Sequence, residues 1–153
     1  VAEELFADEE VASILHAELK SWLRTPYRHW AGVKGKGCDC IHLVIKSLEV
    51  VDAFNGAAIV IPKYTQDWHL HRGDPRMKDF IEKMLPSIMF TDKSVVKNGD
   101  VVLFQYGRQA AHCGIYFDNE VYQAINEMGV HTRQYTDKDF YERVKYIYRA
   151  IKI

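Results

Sequence analysis

A cysteine at the first turn of a helix is a candidate nucleophile, because the free backbone N–H groups there favour the thiolate. Cys40 has that setting. The glycine-rich loop GKGCD supplies Asp39, a good N-cap residue type, and hands over to the apolar segment CIHLVIKSLEVV. The same N–H groups can hold the oxyanion of an acyl-transfer intermediate. The other two cysteines have weaker settings. Cys113 follows His112 in a segment of strand composition, so the two side chains are expected on opposite faces and Cys113 in the core. Cys38 lies in the loop with no evident partner.

A nucleophilic thiol needs a base, and the base needs a group to orient it. Of the seven histidines, His16 and His42 fall on helical segments. His69 and His71, with Trp68, lie in a turn-rich stretch that reads either as cleft lining or as solvated loop. His112 opens a strand directly after the polar loop 107–111, where its ring can reach across to a helix terminus. If 112–117 and 120–126 form a hairpin, Gln123 lies nearly opposite His112. Its amide oxygen can then accept from a ring N–H and fix the tautomer without adding charge. His131, one strand further out, competes for that third position. A metal site is the rival reading, since Cys38, Cys40, His42, His112 and Cys113 offer the donors that suit zinc. A lone C-x-C without a second cysteine pair lacks the usual structural-zinc spacing, so neither metal nor cofactor is expected.

The elements that must position these residues are partly readable. Residues 8–23 place Val11, Ile14, Leu15, Leu19 and Trp22 at helical spacing behind an acidic first turn. Residues 24–39 read as loop, and 40–51 as a buried helix capped by Asp39. The middle, 52–97, yields only a short helix starting near Pro75. The last third turns into short β-branched and aromatic segments, VVLFQY, AHCGIYF, EVYQAI and VHTRQY, with Asp118-Asn119 and Met128-Gly129 as tight-turn signals. A capped helical turn over TDKDFYERV and a final strand KYIYRAIKI complete the pattern. Helices first and an antiparallel sheet second predict an α+β fold, in one domain over 1–153.

Composition narrows the function classes. Of 153 residues 48% are hydrophobic and 27% charged, and the net charge of −1 advertises neither nucleic acid nor an anionic membrane as partner. Three cysteines cannot all pair, so at least one thiol is expected free. The segment VAEELFADEE is acidic where a signal peptide would be positive.

The segment YRHWAGVKGKGCDCIHLV resembles the nucleophile block of the NlpC/P60 cysteine peptidases, a loop followed by DC-S-G-LV. DVVLF and AHCGIYFDNEVYQA resemble that family's second block. The two stand in the family's order and spacing, over roughly Thr25 to Val130. The resemblance implies a papain-like fold with helices packed on an antiparallel sheet. It also implies Cys40 as nucleophile, His112 as base and Gln123 at the third polar position. Tyr27 corresponds to a tyrosine beside the nucleophile and Asp39 to an aspartate that in some members holds the substrate's amino group; Trp30, close to the Tyr27 segment, is a cleft candidate by position alone. The implied activity is hydrolysis of peptidoglycan stem peptides, at the D-glutamyl–diamino acid bond. TPYRH with GCDC is nearest the branch found in phage tails and gene transfer agents, which implies phage-tail partners; a tail, a lost leader or an export system would each bring the chain to the wall. A non-catalytic wall-binding or tail-assembly protein of the same fold is the alternative. Two departures stand out. His42 replaces the usual glycine, where it is expected either to crowd the helix or to add a polar group, and the His112–Gln123 stretch is one residue short.

Overall fold

The computed structural model describes residues 2–63, 76–107 and 109–153. Helix α1 (Glu9–Trp22) starts where the Asp8 carboxylate accepts from Glu10 N and Val11 N, and it buries Leu15, Leu19 and Trp22. Ile14, expected on the same apolar face, is 46% exposed, because the buried stripe is narrower than the hydrophobic spacing. The loop that follows contains a two-stranded ribbon, β1 (Gly32–Val33) with β2 (Gly37–Cys38), which delivers the chain into α2 (Cys40–Val50). Helix α3 (Arg76–Met84) confirms the short helix read near Pro75. Trp68, His69 and His71 lie outside the described residues.

Six strands form one antiparallel sheet: β3 (Ser87–Phe90), β4 (Val101–Tyr106), β5 (Gln109–Phe117), β6 (Glu120–Ile125), β7 (Gly129–Gln134) and β8 (Val144–Ala150), in the order β3-β8-β4-β5-β6-β7. The fold is therefore α+β, as expected, with β3 an edge strand the sequence does not announce. The short β5–β6 connection is a two-residue turn. Asp118 and Asn119 both have positive φ (48° and 69°), the backbone hand that matches strand twist in a hairpin. Alternation along β4 sends Val101 and Leu103 toward α1, α2 and α3, and Val102 and Phe104 to the other face. That second face is closed by α4 (Lys138–Glu142) through Phe140. Asp137 precedes α4 without capping it; its carboxylate pairs with Arg133 instead, at 2.8 Å.

A buried fork fixes the start of β4 against β8. Arg149 Nε and Nη2 donate to the two Asp100 oxygens at 3.0 and 2.9 Å, and Nη2 also donates to Val95 O at 2.7 Å. Removing one partner of a buried pair strands the other's charge, so Arg149→Met should cost about 3–5 kcal/mol of stability. A urea unfolding curve checks this, and a loss under about 1 kcal/mol would show the pair to be dispensable.

Candidate active site

Because α2 begins at Cys40, the thiol sits in a helical first turn, where unpaired N–H groups and the helix dipole favour an anion. Asp39 holds that turn in place. Its Oδ1 accepts from His42 N at 3.0 Å and from His42 Nδ1 at 2.7 Å, while Oδ2 accepts from Trp30 N at 2.7 Å. The carboxylate is 1% exposed. So engaged, it anchors the loop and the helix start. His42 does not crowd the helix against the sheet. Its ring lies on Gly32, where an added Cβ would come within 2.9 Å of His42 Cδ2, and it meets Trp30 edge-on with centroids 5.8 Å apart. The glycine missing from α2 is thus matched by one in β1.

Three thiols are separated by their surroundings. The Cys40 thiol is held down to about 5. Hydrogen bonding from Cys113 is the largest influence; burial opposes it, and the hydrogen bond and positive charge of His112 add to the lowering. Burial pushes Cys113 well up and Cys38 up to about 12, so both remain thiols. Burial also pulls the His112 imidazole down. The bond to Cys40 and its charge, with the Gln123 bond, outweigh that and leave the group above its ordinary value. The two shifts, thiol down and imidazole up, both favour the thiolate–imidazolium form of the pair. Cys113 does lie in the helix-side core as read. Its contact with the Cys40 sulfur was missed, because nothing local in the sequence signals a packing of α2 on β5.

His112 Nε2 lies 2.7 Å from Gln123 Oε1. The amide oxygen accepts, so Nε2 carries the proton and Nδ1 is left to serve the sulfur. Phe104 and Tyr106 bracket the imidazole at centroid distances of 5.5 and 5.7 Å. Gln123 is fully buried, and its Nε2 lies 3.2 Å from His131 Nε2; His131 Nδ1 in turn lies 2.9 Å from Gly129 O. The two residues that competed for the third position are therefore consecutive links of one chain, Gln123 first. Gly114 permits the close approach of β5 and β6 here: a Cβ would meet Val121 Cγ1 at 2.6 Å and Tyr122 O at 2.7 Å. Of the five residues weighed as zinc ligands, Cys40, His112 and Cys113 meet one another, while His42 is bonded to Asp39.

Tyr27 pairs with Cys38 through a parallel bridge. Burial, then the Cys40 charge, push its phenol up, so it stays a proton donor beside the sulfur. Trp30 is 38% exposed, with Nε1 donating to Pro62 O at 3.3 Å and Lys63 Nζ 5.3 Å from its ring centre.

The NlpC/P60 family model matches residues 24–149. No curated protein sequence matches. Among solved structures, an NLP/P60-family protein from Staphylococcus aureus, described as similar to lipoprotein, superposes with a TM-score of 0.65 at 18% identity, covering 95% of this chain and 43% of its own. An NlpC/P60 family protein from Bacillus cereus gives 0.61 at 20% identity, covering 92% and 40%. The NlpC/p60 domain of the peptidoglycan hydrolase SagA gives 0.54 at 15%, covering 93% of this chain and 98% of that domain. This chain thus spans less than half the length of the first two and nearly all of the third. These likenesses concern the papain-like fold.

Proposed function

We propose that this chain, which belongs to the NlpC/P60 family, is a cysteine hydrolase of bacterial cell-wall peptide, acting through a thiol acyl-enzyme. The observation that carries this reading is the Cys40 thiol, lowered to about 5 beside an imidazole raised above its ordinary value and tied to Gln123. The Cys40 thiolate attacks the scissile carbonyl carbon, whose π electrons move onto oxygen. The N–H groups of the first turn of α2, with the Tyr27 phenol, stabilise that oxyanion. As the carbonyl re-forms, the C–N bond breaks and His112 Nδ1–H gives its proton to the leaving amine. Neutral Nδ1 then takes a proton from water, the hydroxide attacks the thioester, and Cys40 leaves as thiolate. Trp30 forms a wall of the cleft, and Asp39 acts by holding Trp30 and the start of α2 in place.

The substrate class rests on family membership and on the likeness to a domain of a peptidoglycan hydrolase. Within it we assign the bond between D-glutamate and the diamino acid of the stem peptide. Mass spectrometry of purified stem peptides incubated with the protein tests this. Fragments separated at that bond, with a new amine on the diamino acid, are expected. Fragments of other masses would move the assignment to another amide. Binding without any fragment would favour a non-catalytic wall-binding role.

A further inference from the structure

The hydrogen-bond chain behind His112 has a direction, and it is set at the far end. Gly129 O is a backbone carbonyl, which can only accept. His131 Nδ1, 2.9 Å from it, must therefore carry a proton. In the neutral ring Nε2 is then a bare acceptor, so the group facing it at 3.2 Å must be the Gln123 NH2. The Gln123 oxygen is left facing His112 Nε2 at 2.7 Å, which must be N–H, so in the neutral ring the free lone pair falls on His112 Nδ1. Reversing the amide would turn its oxygen onto the bare His131 Nε2, or force His131 to bare Nδ1 against the Gly129 carbonyl, and would leave His112 Nε2 to accept from NH2 with its proton moved to Nδ1. A repulsion would replace the His131 bond, inside a core where Gln123 has no exposure.

The backbone makes this end rigid. Gln123 and His131 are direct cross-strand partners in the β6–β7 ladder. Gly129 holds φ at +71°, and a Cβ there would strike Thr25 O at 2.5 Å; the adjacent Val130 is clamped by bonds to Thr25 O and from Arg24 N, both 2.9 Å. We propose that His131 is a positioning residue: held by Gly129 O as the neutral Nδ1–H tautomer, it fixes the Gln123 amide and through it the tautomer of the His112 base. Gln123 alone is nearly symmetric in shape and accepts either orientation; His131 breaks that symmetry.

The inference rests on Cys40 and His112 being the reacting pair, and its tests need no cell-wall substrate. Imidazole 15N NMR of the Cys40→Ala protein, where no ion pair forms, should show His131 as Nδ1–H and His112 as Nε2–H. His131 found as Nε2–H would overturn the proposal. In the protein with Cys40 intact, the pH midpoint of Cys40 alkylation by iodoacetamide should rise about one unit in His131→Phe, a tenfold loss of thiolate comparable to losing one hydrogen bond. His131→Gln, which restores an acceptor toward Gln123, should recover most of it. An unchanged midpoint in folded His131→Phe would also overturn it, and a variant that does not fold leaves the NMR result to decide. Failure of Cys40 to alkylate preferentially in the unaltered protein would instead sink the hydrolase reading.

Discussion

The Cys40→Ala protein should fold normally, lose stem-peptide cleavage by about 10⁴-fold or more, and take up no iodoacetamide at pH 6.5. The same experiment separates the three thiols, because the rate of alkylation follows the thiolate fraction. At that pH Cys40, held near 5, is almost wholly thiolate, whereas Cys38 at about 12 and the still more resistant Cys113 are almost wholly protonated. Peptide mapping of the unaltered protein should therefore find the label on Cys40 alone, and Cys38→Ala should keep both label and cleavage. Cys113→Ala should keep the label with its acid midpoint moved upward, since the Cys113 hydrogen bond is the largest influence holding the Cys40 thiol down. A label on Cys38 or Cys113, or full cleavage by Cys40→Ala, would remove Cys40 from the nucleophile's role.

Local sequence carried the parts of the site that depend on one element. Cys40 was legible because helix capping is written in adjacent residues, and Asp39 does accept from His42 N. His112 and Gln123 were legible because a two-residue turn at Asp118-Asn119 fixes the register of β5 and β6. What escaped depends on contacts between distant segments. The packing of Cys113 against Cys40 needs α2 to lie across β5, which no periodicity encodes. The lodging of His42 over Gly32 needs the ribbon β1–β2, buried inside what reads as loop. Strand β3 escaped because Ser87–Phe90 is a short edge strand with no turn signal, found only through its pairing with β8. His131 was weighed as a substitute for Gln123, whereas the β6–β7 register makes it Gln123's own partner.

Removing His112, the proposed base, should change the shape of the pH profile as well as its height. In the unaltered protein, kcat/KM for peptide cleavage should be bell-shaped. Below about 5 the Cys40 thiolate takes up a proton and attack stops; above the raised pKa of His112, past 6.5, the imidazolium loses the Nδ1 proton that the leaving amine requires. Both limbs belong to one ion pair. In His112→Ala the sulfur loses a hydrogen bond and an adjacent positive charge, while burial and the Asp39 charge still disfavour the thiolate. The acid limb should therefore move to higher pH, and the alkaline limb should vanish with the group that produced it. At pH 6.5, loss of the acid–base step should lower kcat/KM by about 10²–10⁴-fold, with the shrunken thiolate fraction lowering it further. Alkylation of Cys40 isolates the second effect, because iodide leaves without protonation; its midpoint should rise with the acid limb and show no alkaline fall in either protein. A profile for His112→Ala that kept both limbs would mean that another residue supplies the proton. His131 could not do so without surrendering its bond to Gly129 O or to Gln123, and Tyr27, with its phenol pushed up, would shift the alkaline limb well above that of the imidazole.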